Sequence, residues 1–152
     1  MAGFWITDNG NSGGPFTEES GVLKISSGLG GFWSGADDAT WAYQNSAAGD
    51  FEVKVKVTNL GDINTNYEEA GLALRLDSSN NIKIVRTNNS GLGGQVILCS
   101  HVVSNSVTYT NVANSDTTIY FRVTRSGSTI TCYYSTVGLS GPWNSLIPGS
   151  PL

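Results

Sequence analysis

The run Phe51-Glu52-Val53-Lys54-Val55-Lys56-Val57 alternates apolar and charged residues without a break. Only an extended strand sends successive side chains to opposite faces, so this segment is a strand with one face in a core and the other in water. The same alternation recurs in Ala70-Gly71-Leu72-Ala73-Leu74-Arg75-Leu76, Ile82-Lys83-Ile84, Ile119-Tyr120-Phe121-Arg122-Val123 and Val22-Leu23-Lys24-Ile25. Turn-forming clusters separate these runs, among them Asp77-Ser78-Ser79-Asn80-Asn81, Thr87-Asn88-Asn89-Ser90-Gly91 and Arg125-Ser126-Gly127-Ser128. Short strands punctuated in this way predict an antiparallel sandwich or barrel of about ten to twelve strands. No stretch carries a helical period, and without crossover helices parallel βαβ topologies are excluded. The alternating phase places Phe51, Val53, Val55, Val57, Leu72, Leu74, Leu76, Ile82, Ile84, Ile119, Phe121 and Val123 in the core.

A chain of 152 residues, 39% of them hydrophobic, supports one sizeable core without metals or staples. Its 8 Lys and Arg against 12 Asp and Glu form no basic stripe, which argues against nucleic acid as a partner. No apolar run approaches the roughly 18 residues of a membrane span, and Met1-Ala2-Gly3-Phe4-Trp5-Ile6-Thr7-Asp8 lacks the charged and apolar regions of a signal peptide. That leaves the compartment open. Cys99 and Cys132 both fall in strand-like runs, where a cysteine acts as a small buried hydrophobe; a disulfide between them is the alternative. The pentapeptide Ser-Gly-Leu-Gly-Gly occurs at 27–31 and 90–94, but strand-like residues follow it, so it reads as two turns and not as a phosphate loop. Residues 1–146 are expected to form a single domain, and 147–152, with two prolines, a C-terminal tail.

Several segments in order resemble a known family: Phe32-Trp33; Gly49-Asp50-Phe51 through Val57; Glu69-Ala70-Gly71-Leu72-Ala73-Leu74-Arg75; Asn81-Ile82-Lys83-Ile84-Val85-Arg86; Phe121-Arg122-Val123-Thr124-Arg125-Ser126-Gly127-Ser128; and Tyr134-Ser135-Thr136-Val137-Gly138 followed by Trp143. The series is similar to the concanavalin A-like lectin/glucanase jelly-roll domains that sit beside catalytic domains in bacterial carbohydrate-active proteins, including the accessory sandwich of β-xylosidases. The resemblance spans roughly residues 5–146. It implies an all-β, two-sheet antiparallel sandwich of the jelly-roll kind. The partner it implies is a glycan or a neighbouring carbohydrate-active domain, the location extracellular or surface-associated. It carries no catalytic residue. One departure is Val137, where family members often have an acid before the glycine of the turn.

The residues themselves argue against an enzyme. A retaining glycosidase needs two carboxylates about 5–5.5 Å apart on one face. Glu68 and Glu69 are adjacent and point to opposite faces, Glu52 stands between apolar neighbours with lysines beyond, and Glu18 and Glu19 lie in a loop. His101 is the only histidine, and no serine in a strand-to-helix elbow accompanies it. Asp37, Asp38, Asp50, Asp62 and Asp77 are hard oxygen donors that a structural calcium would accept, although turn hydrogen bonding is sufficient to explain them, and no cofactor is expected.

Sugar rings stack on aromatic faces, and their hydroxyls require planar donors and acceptors. Trp41 and Tyr43 share a strand face, and Arg75, Arg86 and Arg122 are candidate polar partners. Gly71 and Ala73 leave a shallow floor beside Arg75. The parity of Arg86 with Ile82 and Ile84 aims it at the core unless the strand bulges. Trp41, Tyr43, Arg75 and Arg86 are therefore the predicted ligand-binding residues of a non-catalytic carbohydrate-binding or carbohydrate-associated module. The competing assignments are a structural, protein-interacting module of a surface assembly or virus-like particle, in which the tryptophans Trp33, Trp41 and Trp143 plug the sandwich and the arginines pair with acids, and, last, a glycoside hydrolase.

Overall fold

The computed structural model describes residues 6–8, 16–19, 22–25, 41–43, 49–58, 67–77 and 79–147. The chain divides into two compact units, Met1–Ala48 and Gly49–Leu152. In the first, β1 (Ile6–Asp8) pairs antiparallel with β4 (Trp41–Tyr43), and β2 (Phe16–Glu19) with β3 (Val22–Ile25).

The second unit is a two-sheet antiparallel β-sandwich. Its strands are β5 (Phe51–Thr58), β6 (Glu69–Asp77), β7 (Asn80–Asn89), β8 (Gly94–Val103), β9 (Ser106–Ala113), β10 (Thr118–Ser126), β11 (Thr129–Ser135) and β12 (Asn144–Ser145). One four-stranded sheet is the meander β6-β7-β8-β9; the other has the order β12-β11-β10-β5. Tight turns set the registers. Ser104 and Asn105 both take positive φ (48° and 66°), the conformation of a two-residue hairpin turn whose twist matches the strands, and they join β8 to β9. Gly127 opens the β10–β11 turn at φ 59°, and its N–H donates to the Asp50 carboxylate at 2.7 Å. The second Ser-Gly-Leu-Gly-Gly is indeed a turn: Ser90–Leu92 make one 3-10 turn, Asn89 accepts from Gly91 N at 3.0 Å, and β8 begins at Gly94. The first copy, at 27–31, lies outside the described residues.

The two sheets meet through Ile82, Ile84, Ile97, Cys99, Ile119, Phe121, Val123, Cys132 and Leu146, with Phe51, Val55, Val57, Leu72 and Leu74 packed at the margin. Nearly all the predicted core residues are there. Val53 and Leu76 are corrections. Val53 keeps the inward phase opposite Val123, but β5 is an edge strand and Val53 stays 40% exposed. Leu76 is 83% exposed because the β6–β7 register shifts between Arg75 and Asp77, which breaks the alternation just before it. The cysteines come from opposite sheets, and both are free and buried. The thiol of Cys99 is pushed well above its ordinary range, first by its hydrogen bond to Cys132 and then by burial.

Candidate functional site

The pleat sorts the β6–β9 sheet cleanly. Residues opposite the sandwich core are Glu69, Gly71, Ala73 and Arg75 on β6; Asn81, Lys83, Val85 and Thr87 on β7; Val96, Leu98, Ser100 and Val102 on β8; and Tyr109 and Asn111 on β9. The middle of this outer face is not wet, as simple alternation predicts. Val85, Val96 and Leu98 form a second apolar cluster with Leu92, and Lys83 is only 2% exposed. Lys83 is held by an ion pair, its Nζ donating to Glu69 Oε2 at 2.5 Å. Burial opposes both charges, raising the Glu69 carboxyl and lowering the Lys83 ammonium, while each partner pulls the other back. Directly across from Lys83 lies Ser100, whose buried Oγ has no hydrogen-bond partner among the described residues.

Arg75 is where parity puts it, exposed on the outer side of β6 beyond Gly71 and Ala73. Gly71 is there because nothing larger fits: a Cβ would overlap the Ile84 carbonyl oxygen and approach Val85 Cα to 2.7 Å. The result is a strip of bare backbone with a guanidinium at one end.

Arg86 does not join this strip. The β7–β8 register runs from Asn81 to Asn89 without a shift, so no bulge rescues Arg86 from the inward phase of Ile82 and Ile84. It is 3% exposed, with Nη2 donating to Gln95 Oε1 at 2.8 Å and with Nε and Nη1 lacking partners among the described residues. Beside it a shallow depression of about 490 Å³ is lined by Gln95, Ala113, Asn114, Ser115 and Asp116. Asn114 fixes that rim: its N–H donates to the Gln95 carbonyl at 3.0 Å, and its side chain exchanges two 3.0 Å hydrogen bonds with Asp116. Burial lowers the Arg86 guanidinium from its usual range, and the Asp116 charge partly restores it.

Trp41 and Tyr43 lie in β4 of the first unit, and Tyr43 is 39% exposed. Trp33 is outside the described residues. On the outer face of the other sheet, Arg122 pairs with Glu52, Nε to Oε2 at 2.7 Å and Nη2 at 2.6 Å, and its guanidinium lies 4.9 Å from the Tyr133 ring centroid and 5.9 Å from that of Trp143. Lys54 and Arg122 hold the Glu52 carboxyl below its usual range. Arg122 is thus engaged with the acid Glu52 and with two rings, that of Trp143 among them. His101 stands on the inward side of β8, its Nε2 buried without a partner among the described residues and its imidazole lowered by burial.

Of the calcium candidates, Asp37, Asp38 and Asp62 lie outside the described residues. Asp50 accepts from Gly127 N, and Asp77 from Ser79 N at 2.7 Å and from the Asn80 amide. Among the described residues no three His, Cys, Asp or Glu side chains converge as metal ligands. The residues that sequence reasoning missed are Glu69 with Lys83, Ser100, and the Gln95–Asp116 rim. A lysine within the β7 run, beside the continuous apolar stretch Val96-Ile97-Leu98-Cys99, was the available signal.

A two-sheet antiparallel sandwich, with a polar pair sunk into one outer face and an arginine sunk beneath one end, defines the class. The chain belongs to the family described as protein of unknown function (DUF1349), whose model matches residues 31–146. No curated protein and no solved structure shows significant similarity to it.

Proposed function

We propose that the chain is a non-catalytic carbohydrate-binding module of concanavalin A-like, jelly-roll architecture. The observation that carries this reading is the outer strip of β6, where Gly71 and Ala73 leave the sheet without bulk and Arg75 stands exposed at the end of the same face. A sugar ring lies flat on such a strip and presents its hydroxyls to the guanidinium, a planar donor set suited to vicinal oxygens. The resemblance to accessory domains of carbohydrate-active proteins supports the same reading. So does the state of Glu69, on the same face of β6, whose carboxylate is tied to the Lys83 ammonium where a retaining glycosidase needs a second carboxylate.

A glycan array probed with the purified protein, followed by calorimetry on any hit, tests the proposal. Arg75→Ala is expected to weaken the interaction about tenfold or more while the melting temperature stays within a degree or two. A blank array favours a protein-interacting structural module instead. Unchanged binding by Arg75→Ala moves the site off β6.

A further inference from the structure

We propose that the end of the sandwich where β8 begins and β9 runs into β10 binds a carboxylate, that of a uronic-acid residue in a glycan, with Arg86 as the cation that receives it. The inference rests on the carbohydrate-binding reading but places a different site on the molecule.

The argument starts from the cost of Arg86. A guanidinium stays protonated in proteins, so burying it without a counter-ion is costly, and such charges are normally paired or fully hydrogen-bonded. Arg86 is neither. Among the described residues no carboxylate forms an ion pair with it. Among the described residues its side chain has one hydrogen bond, to the neutral Gln95 carbonyl, and Nε and Nη1 have no partner. Asp116 acts on it only through space.

The site also has an opening. Gln95 both bonds Arg86 Nη2 and lines the depression, so a ligand that displaces its side chain takes its place at the Nη1–Nη2 edge. That edge is the fork that takes a carboxylate in two parallel hydrogen bonds. The swing frees the Gln95 amide for the ligand. Across the rim Asp116, steadied by Asn114, offers an acceptor, and Ser115 a hydroxyl. Donors at one end and acceptors at the other match a sugar acid, which presents a carboxylate at one end of its ring and hydroxyls along the rest. A metal ion is disfavoured by the cation beneath.

Trigalacturonate, its fully methyl-esterified form and acetate are titrated against the whole chain by calorimetry and thermal shift. Trigalacturonate should bind and raise the melting temperature, the ester should bind at least tenfold more weakly, and acetate should give a smaller shift. Arg86→Met should lose trigalacturonate at least tenfold. Because that variant alters a buried residue, Gln95→Glu is the second arm: it supplies the missing carboxylate from within, so it should raise the melting temperature and also lose trigalacturonate tenfold. Equal binding of acid and ester, no binding of the acid, a shift from acetate as large as that from trigalacturonate, or undiminished binding by Gln95→Glu each overturns the inference. Neutral glycans that bind and depend on Arg75 would leave the broader reading standing in every one of those cases.

Discussion

Lys83 is the residue whose environment differs most from its sequence context. A lysine between two isoleucines on an alternating strand ordinarily extends into water, yet here the ammonium is 2% exposed and is held by Glu69, which is 22% exposed. Breaking such a pair from one side leaves a buried charge, whereas replacing both members with apolar groups removes the desolvation penalty together with the attraction. Lys83→Met is therefore expected to destabilise the fold by about 3 kcal/mol, at the low end for buried pairs because Glu69 retains some solvent. Glu69→Leu combined with Lys83→Met should recover most of that loss in chemical denaturation. The pH dependence has a definite sign. Burial raises the Glu69 carboxyl above the 4.5 of an unfolded chain, and without Lys83 nothing opposes that shift. The folded variant then binds the proton more readily than the unfolded chain, so its deficit shrinks as pH falls from neutral toward 4.5 and widens again as pH rises. A deficit that does not change with pH would mean that Glu69 finds another partner.

At the level of strands, β6 shows how a single position sets the separation of two backbones. Gly71 faces Val85, and the space a Cβ would take is already occupied by the Ile84 carbonyl. Gly71→Ala is expected to cost about 1–3 kcal/mol by overpacking, read as a lowered melting temperature, because rigid backbone and not a flexible side chain must give way. The alternation that defines β5, β6, β7 and β10 was fully legible in the sequence, since period two follows from backbone geometry alone. What it could not supply is the condition of the outward face. Glu52, Lys54 and Lys56 on β5 are exposed as alternation predicts, whereas Asn81, Lys83, Val85 and Thr87 on β7 are buried. Sheet position does not account for it, because β10 is also an interior strand and its outward Tyr120, Arg122 and Thr124 are only half-buried; the pleat fixes which face a residue takes and not how far that face is covered. The end of β6 failed for a local reason, the register shift that turned Leu76 outward. Arg86 was settled by the opposite circumstance, a ladder that runs without interruption.

Across the molecule, the architecture was easier to infer than the site. Sandwich formation needs only alternating strands and turns, and both are local patterns. A site needs side chains from several strands to converge, and Arg86 bonds Gln95 and feels the charge of Asp116 only because β8, β9 and the turn into β10 close on one another. The position of β7 and β8 has one further consequence. They are the two inner strands of their sheet, hydrogen-bonded on both sides, with Ile84, Ile97 and Cys99 on one face and Val85, Val96 and Leu98 on the other all 6% exposed or less. Local fraying that frees an edge strand leaves the amides that bond between β7 and β8 still paired and still dry. In deuterated buffer the Val85 and Leu98 amides, directly opposite each other on the two inner strands, are expected to be the last in the sandwich to exchange, at a rate set by the opening of the entire sheet, while those of β5 and β9 are lost earlier. Their exchange rates then serve as an internal gauge of global stability, against which every substitution above can be measured without adding denaturant.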